Sequence, residues 1–172
     1  AYLQIPGALA LPDVLIPDGN GWRMIEVKSS GRVKDYHLED LAVQIYVART
    51  SGVSITGAAI AHIDSKFVYK NDGDYSGLLC ESDQTQEVFA LNNDVRGWIE
   101  AAQKILKMSS EPLIEIGPHC NSPFECPFSE HCRKNVRQPD YPLSTFYRLH
   151  HSRRTKIESL GYEDIRDVPD ED

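Results

Sequence analysis

LPDVLIPDGNGWRMIEVKSS, residues 11–30, sets two apolar runs, Val14-Leu15-Ile16 and Trp22 to Val27, on either side of Pro17-Asp18-Gly19-Asn20-Gly21. Strand formers flanking a Gly/Asn/Asp cluster predict a β-hairpin. If Pro17 faces Trp22 across the turn, the register pairs Asp13 with Glu26. Directly opposed side chains in an antiparallel pair have Cβ atoms about 4.5–5.5 Å apart. Glu26 and Lys28 stand two apart on one strand and so leave the same face. Two carboxylates and a lysine then converge on one region, a candidate metal site with a cation beside it.

Mg²⁺ and Mn²⁺ take hard oxygen ligands, and Mg²⁺ keeps waters that can serve as nucleophiles. A neighbouring lysine can position or deprotonate such a water, or steady charge growing on a phosphoryl oxygen. A surface hairpin with a charged solvated face accounts for the same trio, because a D…ExK string is short and common. Ile25 and Val27 argue for an inner strand, where charge needs a reason.

Working outward, residues 1–10 carry Ile5 and Leu9, which with Leu11 could continue a strand into the hairpin. Ser29 to Lys34 reads as a polar loop. Leu38, Leu41, Ala42, Ile45, Tyr46 and Arg49 follow helical spacing, with Asp35 as N-cap and Gly52 as stop. Gln44 sits beside the core stripe of that helix, where backbone groups could equally satisfy it. Ile55 to Ile63 reads as a buried strand, turned by Asp64-Ser65-Lys66 into Phe67 to Lys70 as a second hairpin. Asn71 to Gly77 is an Asp/Gly-rich loop, and Leu78 to Cys80 a short strand. His62 reads as a core or edge histidine and Cys80 as a buried small side chain. Thr85–Leu91 and Asp94–Met108 predict helices, the second with Val95, Trp98, Ile99, Ala102, Ile105 and Leu106 as a core stripe. This order suits an α/β fold, a mixed central β-sheet flanked by helices.

Composition places the chain among ordinary globular proteins: 172 residues, 41% hydrophobic and 26% charged. No apolar run approaches the roughly 20 residues a membrane helix needs, no signal-peptide pattern opens the chain, and the cytoplasm is the default compartment. The net charge of −8 argues mildly against a nucleic-acid partner. Its distribution matters more, with Lys28, Arg32 and Lys34 following the hairpin and Arg148, Arg153, Arg154 and Lys156 later. Each basic group also reads as a plain solvated face. Acids concentrate at the end, from Glu163 and Asp164 through Asp167 to Asp170-Glu171-Asp172.

Residues 117–138, GPHCNSPFECPFSEHCRKNVRQ, place Cys120, Cys126 and Cys132 among prolines and aromatics with little strand or helix pattern. Such a segment needs another source of order, which a metal or cluster supplies. In a cytoplasmic protein, clustered cysteines favour metal over disulfide. Four thiolates would hold a [4Fe–4S] cluster; three plus an imidazole, from His119 or His131, would suit zinc; free thiols are the third reading. From Arg153 to Val168 the chain is similar to the first half of a helix-hairpin-helix DNA-binding motif, with Leu160-Gly161-Tyr162 at the hairpin. A plain αα-hairpin reads equally well.

Pro12-Asp13, then Ile25-Glu26-Val27-Lys28-Ser29-Ser30, then a helix carrying Gln44, resembles the PD-(D/E)xK nuclease superfamily. The chain is most similar to its RecB-like branch, including CRISPR-associated exonucleases with a C-terminal cysteine cluster and bacterial proteins joining such a domain to a DEDD-type exonuclease. The resemblance implies a restriction-endonuclease-like core over 1–116, a cysteine-rich cluster segment over 117–138, and a linker with a helix-hairpin-helix-like tail over 139–172. It implies Asp13 and Glu26 as ligands of Mg²⁺ or Mn²⁺, Lys28 as catalytic lysine, and Gln44 as the helix residue beside them. The tyrosine usual four residues after that glutamine is replaced by Ala48, with Tyr46 nearest. The resemblance further implies an Fe–S cluster on Cys120, Cys126 and Cys132, its fourth cysteine ahead of Ala1 together with an upstream helix, so the sequence reads as a fragment. The implied activity is metal-dependent DNA cleavage, as an exonuclease on single strands or ends in repair, recombination or defence. The implied partner is a fused or associated second exonuclease domain, with no membrane. A non-catalytic nucleic-acid-binding or scaffold module is the alternative, and a metal-binding interaction protein the third.

Overall fold

The structure, a computed structural model, describes residues 2–70, 72–134 and 139–169. Its central hairpin joins β3 (Val14–Asp18) to β4 (Gly21–Lys28), with Pro17 opposite Trp22 and Asp18 opposite Gly21. The turn needs Gly21 because a Cβ there would stand 2.6 Å from the Ser54 carbonyl oxygen. From Val14 opposite Ile25 down to the turn the register is therefore the expected one, and Asp13 stands one residue before β3 begins.

From β4 the chain crosses through α1 (Asp35–Thr50) to β5 (Ile55–Ile63), which lies parallel to β4. β6 (Leu79–Asp83) adds antiparallel to β5, giving a mixed four-stranded sheet in the order β3-β4-β5-β6. Helices α1, α2 (Thr85–Ala90) and α3 (Asn92–Leu106) flank the sheet, and the fold is mixed α/β. Met24, Ala58 and Ile60 turn to the helices and meet Leu41, Ile45, Val88 and Val95 in one buried cluster. Ile25, Ala59 and Ala61 form a second cluster on the other face, where Arg23 Nη1 pairs with Glu81 Oε2 at 2.7 Å.

Several expectations need correction. Residues 1–10 do not extend the hairpin: β1 (Leu3–Ile5) and β2 (Ala8–Ala10) pair with each other, and Ile5 and Ala10 bury against Val47 of α1. Gly7, at φ +85°, allows that reversal. Asp35 is the first helical residue and not the cap; Lys34 takes the N-cap position with φ −129° and ψ 156°. Phe67–Lys70 is no strand. Asp64 Oδ1 accepts the Lys66 N–H at 2.9 Å, and the loop then returns to donate Asp64 N–H to Leu78 O at 2.8 Å, so the partner of β5 is Leu79–Asp83. On α3 the stripe is core only where it meets the other helices. Val95 is buried and Ile99 packs on the core, whereas Ala102 is exposed, Trp98 is 41% exposed and Leu106 84%. Cys80 is half-buried at the sheet edge, beside His62.

The chain divides into two compact units, Ala1–Pro112 and Leu113–Asp172. The cysteine segment and the tail thus belong to the same unit. The second unit holds α4 (Ser129–Lys134) and α5 (His151–Ser159), and a short bridge pairs Pro142 with Asp164. Gly161, at φ +88°, ends α5. Beyond it a single 3₁₀ turn, Ile165–Asp167, follows among the described residues. Residues 135–138 of the cysteine segment and 170–172 of the acidic tail lie outside the described residues, as do Ala1 and Asn71. Among the described residues, no helix is long and apolar enough to cross a membrane.

Candidate functional site

Period-two alternation on β4 sends Met24, Glu26 and Lys28 to the face that α1 covers. Met24 fills the core, and Glu26, one step on, is carried inward to 7% exposure. A carboxylate so buried needs partners. Gln44, from the core-facing side of α1, donates Nε2 to Glu26 Oε2 at 2.8 Å. Lys28 Nζ donates to Glu26 Oε1, also at 2.8 Å. Both carboxylate oxygens are thereby engaged, one by a helix and one by the same strand.

Lys28 makes a second hydrogen bond, to Asp40 Oδ2 on α1. Asp40 lies one helical turn before Gln44, so the two residues share a helix face and reach β4 side by side. Burial by itself would lower the Lys28 pKa. The bonds to Asp40 and Glu26 outweigh it, and the ammonium ends above its ordinary range. His37, in the first turn of α1, is shifted the other way, first by burial and then by the positive charges of Lys28 and Lys34. Its Nδ1 accepts the Lys34 N–H at 3.2 Å. The next sheet row continues the polar set: Lys28 stands beside His62 of β5, and His62 beside Cys80 of β6. The Cys80 Sγ lies 3.5 Å from His62 Nδ1.

Asp13 reaches the site from the other strand. Its Oδ2 accepts the Val27 N–H at 2.9 Å, prolonging the β3–β4 ladder with a side chain in place of a carbonyl. Glu26, Lys28 and Gln44 are thus linked by hydrogen bonds, while Asp13 is held on the Val27 amide at the same end of the hairpin. Asp40 and His37 join them, and neither was singled out from the sequence. The available signal was spacing: Asp40 and Gln44 are i and i+4 on a helix already expected to cover β4.

The donors are oxygens of the kind that hard divalent cations take, and an ammonium already lies between two of the carboxylates. The oxygens suit a cation, whereas the ammonium already neutralises the carboxylates it bridges and competes with one. Among the described residues, however, no group of three or more His, Cys, Asp or Glu side chains stands together ready to hold an ion. That statement covers the cysteine segment as well. There Cys126 N–H donates to Cys120 O at 2.8 Å and Cys132 N–H to Phe128 O at 3.0 Å. The segment is therefore folded back on itself with all its thiols free and Cys120 buried.

Gln44 Oε1 is buried without a hydrogen-bond partner. Turning the amide over would set Oε1 against the Glu26 carboxylate, so the observed orientation is the favourable one. Beyond Asp40, an open concavity of about 520 Å³ is lined by Tyr36, Glu39, Asp40, Val43 and Trp98. Comparison of the chain with protein-family models, with curated proteins and with solved structures gives no match.

Proposed function

We propose that the chain is a metal-dependent deoxyribonuclease with a restriction-endonuclease-like core of the RecB-like PD-(D/E)xK kind. The observation that carries this is the Glu26–Lys28 pair on one strand, closed from above by Gln44. An inner-strand carboxylate locked to a lysine two residues away has no need to exist for packing, since apolar residues would fill the same place with less desolvation. Mg²⁺ or Mn²⁺, held by Asp13 and Glu26, would supply Lewis acidity at a phosphoryl oxygen and an activated water.

The chain's own residues do the rest. Gln44 fixes the rotamer of Glu26 by holding one oxygen. Asp13, tied to the Val27 amide, is held at the end of the ladder by backbone and not by a flexible neighbour. Lys28, kept as an ammonium by Asp40 and Glu26, would act by charge on the phosphoryl oxygen where negative charge grows during attack. The substrate is DNA, single-stranded or at its ends, cut as by an exonuclease in repair, recombination or defence. A second exonuclease domain, fused or associated, would work beside it. The thiols of Cys120, Cys126 and Cys132 fit a reducing compartment such as the cytoplasm, and a [4Fe–4S] cluster, with zinc as the alternative, would order their segment.

Labelled single-stranded and duplex DNA incubated with Mn²⁺ tests the reading. Cleavage should fall by about 10²–10³-fold in Glu26→Ala and in Lys28→Ala, and wild-type protein that leaves DNA intact under these conditions overturns it. Iron, sulfide and zinc analysis of anaerobically purified protein tests the cluster. A second reading is favoured by one observation, that no three ligands stand together among the described residues. It is a nucleic-acid-binding or scaffold module with an incomplete site, and DNA binding without cleavage would be its signature.

A further inference from the structure

The concavity beside Asp40 is built by two elements for different reasons. Tyr36, Glu39, Asp40 and Val43 fall at i, i+3, i+4 and i+7 and so make one face of α1. Trp98 comes from α3, where its neighbour Val95 is fully buried and Ile99 packs on the core. The helix is therefore pinned, yet its largest side chain stays 41% exposed over the hollow. An indole that lines a hollow from a pinned helix and stays partly exposed can serve as a stacking surface.

We propose that this concavity is a nucleobase subsite, with Trp98 as the stacking surface and Glu39 as the acceptor for base N–H groups. It rests on the nuclease reading and specifies the substrate's contact next to the Lys28–Glu26 pair. Three features select a base over other ligands. The lining carries two carboxylates and no Lys or Arg, so a phosphate is disfavoured in the hollow itself. Asp40, on its rim, is bonded to Lys28, so the hollow begins where the cationic group ends. A base over Trp98 would then belong to a nucleotide whose backbone runs past Asp40 toward the Lys28–Glu26 pair. Stacking on an aromatic accepts every base, and the carboxylate adds a preference. Guanine presents adjacent N–H donors that a carboxylate accepts as a pair, whereas thymine presents one.

The chain has two tryptophans, so Trp22→Phe leaves Trp98 as the sole indole. Its fluorescence is titrated, without added metal, with dGMP, dTMP and tetramethylammonium. Saturable quenching by dGMP is expected, about tenfold tighter than by dTMP, the ratio that a hydrogen bond to a charged group supplies. Glu39→Gln should bring the two nucleotides close to equal affinity while stacking persists. Absence of saturable quenching by either nucleotide overturns the subsite. So does quenching by tetramethylammonium alone, which marks an organic-cation pocket, or base discrimination untouched by Glu39→Gln. Cleavage of DNA with no quenching sinks the subsite and leaves the nuclease standing. Quenching with no cleavage does the reverse.

Discussion

The two units hold their reactive groups by different means. In the first, Glu26 sits on an inner strand, each oxygen is bonded, and the donors come from α1 and from β4 itself. Burial of Met24, Leu41, Ile45 and Ile60 places those elements before any ligand arrives. In the second, the buried set among the described residues is small: Cys120, Ser129, Leu143, Ile157 and Asp164. Phe124, Phe128, Tyr141, Phe146 and Tyr147 lie exposed around it. Where apolar packing fixes the frame, a site is preorganised. Where it does not, order rests on turns and on clasps such as Asp164, and the proposed metal or cluster would add to it.

Truncating one core leucine in each unit gives the largest effect and bears directly on this contrast. Leu41 is fully buried and Leu143 is 3% exposed. Leu41→Ala should cost about 2–5 kcal/mol and melt the first unit with its site. Leu143→Ala should loosen the second unit alone, followed by limited proteolysis within 113–172, and leave the far-UV signal of the sheet in place. If Leu143→Ala also melts the sheet, the two units are one cooperative body and the comparison fails.

Gly21→Ala comes next. The new methyl would meet a backbone oxygen at 2.6 Å, an obstacle that cannot rotate away. A cost of about 1–3 kcal/mol is expected in chemical denaturation and, on the nuclease reading, weaker DNA cleavage, because the turn sets the β3–β4 register. Unchanged stability would show that the turn can shift without disturbing the strands. Gln44→Leu is smaller. It removes a bond to a buried carboxylate but also the unpartnered Oε1, so the two changes oppose each other and about 1 kcal/mol should be lost. A loss above about 3 kcal/mol would mean that Gln44 is a core determinant and not a clamp on Glu26.

What could be read from the sequence divides along the same physical line. The hairpin register was legible because Asp18, Gly19 and Asn20 decide it within a few residues. Ile55–Ile63 was legible because, His62 apart, its residues are β-branched or small and admit little else. Asp40 and His37 escaped notice because their importance depends on α1 lying over β4, a tertiary fact that no local pattern contains. The partner of β5 was misassigned because Phe67–Lys70 has strand composition, yet the Asp64 side chain turns the chain away before it can pair. The exposed half of the α3 stripe teaches the converse. Ile105 and Leu106 keep helical apolar spacing without being buried in the first unit, because periodicity reports which face is apolar and not whether anything covers it.

The last prediction concerns the clasp of the second unit. Asp164 is nearly buried, and it accepts from Arg166 Nε and Nη2, from the Arg166 N–H and from the Tyr141 N–H, so it fastens residues 141–142 to 164–166. The Arg166 guanidinium holds its carboxyl well below the usual carboxylate range against the opposing effect of burial, with the two backbone donors adding to it. A carboxyl depressed in the folded state stabilises that state above its unfolded pKa of about 3.9, and the contribution fades as the pH falls below that value toward the folded one. The second unit should therefore become more protease-sensitive between about pH 4 and pH 3 than at pH 7. Asp164→Asn should be weaker at pH 7, since the neutral amide cannot pair with Arg166, and should show a flatter decline on acidification. An equal decline in both proteins would assign the acid sensitivity to other carboxylates and remove Asp164 as the clasp.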